Sequence, residues 1–199
     1  SLAVIRDALA AIATNSGRTI DYAAWDPISD TATQELIRRG DTMGCFYVES
    51  PATRLLLKKL WTTMPPAQRA QADVFEYLVA VSSIIRPAAN VFADDFVRRA
   101  HGQPYCALHP LLETVLAETH GIMVYQEDVM KVAVALGGFS VHDGDQLRKI
   151  LSKKHKERQL RDYQRQFYAG AAARQISRAV VDQVWAMMLS FAGYSFCKP

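Results

Sequence analysis

The 199-residue chain is half hydrophobic and 22% charged, enough apolar material for a well-buried core and without any low-complexity tract. No apolar run approaches the roughly 20 residues a membrane span needs, and the N-terminus has no signal-peptide pattern, so neither membrane insertion nor export is expected. Three scattered cysteines, Cys45, Cys106 and Cys197, argue against a disulfide framework or zinc ribbon and fit a reducing cytoplasm.

In chain order the pattern is helical nearly throughout. Residues 1–13 form an amphipathic stretch. Asp30 is placed to cap a helix that Gly40 ends. Ser50 followed by Pro51 reads as an N-cap with proline in the first helical position. Asp73 and Glu76 make a capping-box pattern, and their helix should stop ahead of Pro87. Asn90 is expected to open the next helix, Pro110 another, and Ser177 to cap the last. The helix after Tyr125 should end at the paired glycines Gly137 and Gly138. Only residues 44–48 and 122–125, rich in aromatic and branched side chains, read as short extended pieces. The expected fold is mainly α, a multi-helix domain of helices about 10 to 18 residues long with at most a few short strands. Both termini begin or stop inside such patterns, so the chain reads as a stretch cut from a longer protein.

Several chemistries have no sequence support. A nucleophile elbow, a phosphate-binding glycine loop, a zinc motif and a dinucleotide fingerprint are all missing from the sequence. His101, Cys106 and His109 lack ligand spacing and read as loop and core residues. Asp94 and Asp95 would point about 100° apart on a helix, so carboxylate pairs such as these, or Asp143 with Asp145, do not suggest a two-metal site. No catalytic centre is expected within the chain.

Charge is the informative feature. The chain carries a net +3, yet Leu147 to Arg178 holds ten Lys and Arg against Glu157 and Asp162, a net +8. The remainder is therefore mildly acidic, at −5, and the pattern suggests a localised anionic partner. Within the run, Leu160, Tyr163, Phe167 and Ala171 fall at helical spacing and should be buried, leaving Arg158, Arg161 and Arg165 as a basic stripe that faces solvent or nucleic acid. Upstream, Arg148 and Lys149 stand close to Lys153 and Lys154 with few acids to neutralise them. Such a cluster favours phosphate, gripped by an arginine fork and lysine point charges. Arg148 and Lys153 are five residues apart, about 140° around a straight helix, so both reach one ligand only if the helix ends or bends near Ser152.

Five stretches in order, "GDTMGCFYVESPATRLLLKKL", "SSIIRPAAN…DDFVRRAHG", "HPLLETVLAETHGIMVYQEDVMKVAVALGGFS", "GDQLRKILSKK" and "FAGYSFCKP", resemble the α subunits of bacterial DNA polymerase III, the C-family polymerases that replicate bacterial chromosomes. The resemblance covers essentially the whole chain. It implies that residues 1–15 are the end of the palm and 16–199 the fingers domain. It also implies that the parent is a DNA-directed DNA polymerase whose three palm aspartates, with Mg ions, lie outside this chain, leaving the fragment inactive alone. Implied partners are incoming dNTP, template-primer DNA and, through regions not present here, replisome subunits such as the sliding clamp. By the same resemblance, Arg148, Lys149, Lys153 and Lys154 face the triphosphate. Gly44, Ser50 and Arg54 lie near the active cleft, and Tyr194 and Lys198 belong to the end of the fingers motif. Two departures, "RPAA" at 86–89 and "FCKP" near the end, point to a divergent or secondary copy. Two other classes remain open at this level: a non-catalytic helical nucleic-acid-binding module, and a helical interaction scaffold whose basic face meets an acidic protein.

Overall fold

The computed structural model describes residues 2–85, 90–151 and 157–190. It divides the chain into two units, 1–35 and 36–199. In the first, α1 (Leu2–Ser16) is followed by turns held by short acidic side chains: Asp26 Oδ1 accepts from the Ile28 and Ser29 amides at 3.1 and 3.3 Å. Asp30 then accepts from the Thr33 amide at 2.6 Å and so caps α2 (Thr31–Arg39) as the sequence indicates.

The second unit holds the core. At its start Gly40 has φ +66°, and a Cβ there would sit 2.5 Å from the Arg54 carbonyl oxygen, so glycine is required twice over. Ser50 caps α3 (Pro51–Thr62) by accepting from the Thr53 amide. A short α4 (Pro66–Gln71) precedes α5 (Val74–Ile84), which Asp73 caps through the Phe75 and Glu76 amides and which stops before Pro87. Next come α6 (Ala93–Ala100), α7 (Pro110–Val115), α8 (Gln126–Gly137, closed by Gly138), α9 (Val141–Leu151), α10 (Glu157–Ala173) and α11 (Arg178–Ser190). Ser177 accepts from the Val180 amide at the head of α11.

One part of the core joins α3, α5 and α6 through Leu57, Leu60, Trp61, Ile84 and Phe96. The other packs α8 against α9 and α10, and α10 against α11, around Val132, Leu136, Leu147, Phe167, Val184 and Trp185. These side chains are nearly inaccessible to solvent, which makes hydrophobic burial the main source of stability. Of the expected stripe on α10, Phe167 and Ala171 are buried, while Leu160 and Tyr163 lean on the core half-covered.

Four expectations need correction. Residues 44–48 are not extended but a pair of hydrogen-bonded turns, with Cys45 N donating to Thr42 O and Val48 N to Cys45 O. Gly44 and Tyr47 take φ of +79° and +74°, which no strand accommodates. Residues 122–125 form no strand; Ile122 closes a turn with its amide donating to Thr119 O, and among the four only Tyr125 makes a single bridge. Asn90 starts a single 3-10 turn, and the α-helix itself begins only at Ala93. The helix from Pro110 breaks after Val115, because a 3-10 turn (Ala117–Thr119) ends at His120 in the left-handed region. No strand is present among the described residues, and no helix there is long and apolar enough to cross a membrane.

Candidate functional site

The basic cluster is built on α9. Within its last turns, Arg148 and Lys149 stand three and four residues after Asp145, the spacing at which side chains meet on a helix. Asp145 Oδ1 accepts from Arg148 Nε and Nη2 at 3.1 and 2.8 Å, and Oδ2 lies 2.6 Å from Lys149 Nζ. The expectation of cations with few acids nearby is therefore wrong for this pair. One carboxylate serves both, so the pair meets an approaching anion partly neutralised. The hydrogen bonds from Lys149 and Arg148 hold the Asp145 carboxyl below the ordinary carboxylate range, which keeps it charged at neutral pH.

Arg148 also reaches across to α8. Its Nη1 donates to Gln126 Oε1 at 2.9 Å. Gln126 opens α8 inside the "VYQEDVM" stretch, so this bond joins two of the sequence motifs in space. Arg148 is half-buried and Lys149 exposed. An arginine gripped on two sides is a pre-oriented group, with less side-chain freedom to lose on binding an oxyanion. Sequence reading missed both partners, although the Asp145 spacing was a readable signal.

At the other predicted positions, Gly44 sits in an open turn where an added Cβ would touch nothing, so its glycine serves the backbone angle and not a close approach. Ser50 is occupied as the α3 cap, its Oγ also 2.8 Å from Thr53 Oγ1. Arg54 Nε donates to the Gly40 carbonyl at 3.1 Å, binding the end of α2 to the first turns of α3. Lys153, Lys154, Tyr194 and Lys198 lie outside the described residues, as do the expected bend near Ser152 and the turn at 86–89.

The remaining candidates have local roles. His101 Nε2 pairs with the Leu60 carbonyl, His109 Nδ1 accepts from the Leu111 amide at the head of α7, and Cys106 is exposed. Asp94 is bonded to Lys59 at 2.6 Å and Asp95 to Arg98. Asp143 and the Ser140 hydroxyl pair at the start of α9. Among the described residues no three His, Cys, Asp or Glu side chains gather as a metal-binding group.

Comparison with known proteins follows the same lines. The family model for the bacterial DNA polymerase III alpha subunit finger domain matches residues 1–175. The DNA polymerase III subunit alpha of Neisseria meningitidis serogroup B is 37% identical over 198 residues, all of this chain and 16% of the relative. That of Mycobacterium leprae is 35% identical over 208 residues, again all of this chain and 16% of the relative. An error-prone DNA polymerase of Symbiobacterium thermophilum is 34% identical over 182 residues, 90% of this chain and 16% of that protein. The chain thus spans about a sixth of the length of the curated relatives it matches.

Proposed function

The chain belongs to the bacterial DNA polymerase III alpha subunit family, as its finger domain, and on that premise we propose that it binds incoming dNTP and template-primer DNA for a parent DNA-directed DNA polymerase. The observation that carries this reading is the finger-domain match, which runs through the pre-oriented Arg148. In nucleotidyl transfer, positioning and charge stabilisation dominate the chemistry. Fingers contribute grip on the β and γ phosphates and a surface against the nascent base pair.

Arg148 and Lys149 are the described members of the triphosphate clamp, with Lys153 and Lys154 completing it. Gly44, Ser50 and Arg54 shape the neighbouring wall of the cleft, Ser50 and Arg54 by holding α3 in place. Tyr194 and Lys198 belong to the end of the fingers motif. Mg ions, which would neutralise developing charge on the phosphates, are held by palm residues of the parent outside this chain. Sliding-clamp and other replisome contacts belong to other regions of the parent, and the site of action is the bacterial cytoplasm.

Two outcomes follow. Purified alone with Mg, dNTP and a primed template, the 199-residue chain should extend no primer, as read on a denaturing gel. Any metal-dependent extension by the chain would show that it carries catalytic carboxylates of its own.

In the full-length polymerase, Arg148→Ala should raise the KM for dNTP about tenfold, the low end for a charge-assisted contact worth roughly 1.5–3 kcal/mol, because Asp145 already takes part of the guanidinium. DNA affinity should change much less. Steady-state kinetics with varied dNTP, run beside a DNA-binding titration, measures both. An unchanged KM with collapsed DNA affinity would overturn the clamp reading.

A further inference from the structure

A second arginine is pre-oriented on the opposite end of the basic run. Arg178 opens α11, and its guanidinium lies over the Tyr168 ring of α10, 4.3 Å from the centroid. Arg178 Nε donates to Asp182 Oδ1 at 3.0 Å, and Tyr168 donates its hydroxyl proton to the same oxygen at 2.8 Å. One carboxylate thus fixes both the cation and the ring beneath it. The Tyr168 hydrogen bond first, and then Arg178, keep the Asp182 carboxyl below its ordinary range, so this brace persists at neutral pH.

An exposed ion pair of this kind contributes little to stability. Stability alone therefore does not account for the arrangement. Although stacked and bonded, Arg178 remains 77% exposed. Its two terminal nitrogens make no hydrogen bond among the described residues, while Nε and one face are already committed. What it presents outward is a fork of donors held flat, the geometry that matches phosphate oxygens.

The surroundings are suited to the same ligand. Among the described residues, an open cavity of about 310 Å³ is lined by Gln164, Arg165, Tyr168 and Arg178. Arg165, which lines the same cavity, is paired with Asp162. Going back along α10, Arg161 and Arg158 follow on the same face at four and seven residues, both exposed and without an ion pair among the described residues. The three α10 arginines span about 10 Å of helix axis at 1.5 Å per residue.

We propose that Arg178, backed by Tyr168, and Arg165, which lines the same cavity, contact neighbouring phosphodiesters of a DNA backbone, with Arg161 and Arg158 continuing the contacts along α10. This rests on the reading of the chain as a DNA-handling finger domain, but it uses none of the side chains of the triphosphate clamp. The contact carries no sequence information; it positions the strand.

The test is binding of a fluorescent DNA duplex of arbitrary sequence to the 199-residue chain over a series of salt concentrations. Each phosphate neutralised releases counterion, so Arg178→Ala should reduce the slope of log K against log salt by about one, and adding Arg165→Ala should reduce it by about one more. Arg178→Lys keeps the charge without the fork or the ring stack, and its affinity should fall between those of the parent chain and the alanine variant. Arg18→Ala removes an equal charge from an exposed site in the first unit and should change little. Far-UV spectra establish that the variants remain folded.

An Arg178→Ala slope equal to that of the unchanged chain overturns the proposal. So does an equal loss in Arg18→Ala, which would mean diffuse charge attraction, or tighter binding to an acidic protein such as a polyglutamate chain than to DNA. The two sites fail separately. A null result here with a raised KM in Arg148→Ala removes this site and leaves the clamp, and the converse pair of results does the opposite.

Discussion

Gly170→Ala is expected to destabilise the fold by about 3 kcal/mol, the upper end of the usual overpacking penalty. In a solvated helix the same change would be favourable by up to about 1 kcal/mol, because alanine loses less backbone freedom than glycine. Here the sign reverses because α10 and α8 meet backbone to backbone. A Cβ on Gly170 would lie 1.7 Å from the Gly137 carbonyl oxygen and 2.7 Å from its carbon. Neither atom can turn aside as a side chain would; the two helices must part, loosening the buried contacts of Phe167 and Leu136. At about 2–4 °C per kcal/mol for a domain of this size, the melting temperature should fall by roughly 6–12 °C. Gly144→Ala is the matched comparison: a Cβ there would meet Met130 Cγ at 3.0 Å, on a flexible side chain that can shift, and no backbone atom nearer than the Met130 carbonyl oxygen at 3.3 Å. That variant should stay within about 1 kcal/mol of the parent. Thermal unfolding followed by circular dichroism measures both, and equal melting temperatures for the two variants would refute the close crossing.

That crossing was invisible in the sequence. "YAGAAA" (168–173) reads as an ordinary helix interior, and nothing local says that Gly170 faces a backbone oxygen from a residue 33 positions earlier. The caps, by contrast, were legible. Asp30, Ser50, Asp73 and Ser177 each accept from an amide two or three residues on, since capping is decided within one turn of chain. The turn at 44–48 was misread because its aromatic content suggested a strand. What decides its shape is a closure from Thr42 Oγ1 to the Val48 carbonyl at 2.6 Å, together with two left-handed residues. The short α4 carried its signal openly, a proline in the first turn, but six residues of weak periodicity gave it no apolar face to recognise.

The site was legible to the same extent. Composition identified a basic run, and the motif order identified Arg148 and Lys149 within it. It did not show that Asp145 shares itself between them or that Gln126 anchors Arg148 from another helix. The first of these was available from helical spacing. The second depends on how α8 packs on α9, which no local pattern encodes. The correction changes a magnitude: Arg148 and Lys149 share a carboxylate, so removing Arg148 should cost less than removing an unpaired arginine would.

Asp128 is the position where a single side chain should matter most beside Gly170. It lies in the first turn of α8, 2% exposed, and its Oδ2 accepts from the Val124 and Tyr125 amides at 2.9 and 2.8 Å. Both donors belong to buried residues. Asp128→Ala would leave two amides without this acceptor, and at about 1–3 kcal/mol for each buried unsatisfied group the loss should be about 3 kcal/mol. Asp128→Asn keeps an oxygen acceptor and should cost about 1 kcal/mol near neutral pH. Acid should widen the gap between the parent and the asparagine variant. Burial, the largest influence, pushes the Asp128 carboxyl above its ordinary value, outweighing the Tyr125 and Val124 amides and the Lys131 ammonium 3.8 Å away. Between the unfolded pKa and this raised folded pKa, the native state binds more protons than the unfolded chain, so the Asp128 contribution is full below the unfolded value and is lost as pH rises through the folded one. Asparagine has no such titration, and the other carboxylates are common to both proteins and cancel in the difference. Urea denaturation of the parent chain, Asp128→Ala and Asp128→Asn at neutral and mildly acidic pH supplies the comparison. If the parent gains nothing on Asp128→Asn as the pH falls, the carboxyl is ionised in the fold at little cost, and its two amide bonds, not its burial, control its charge.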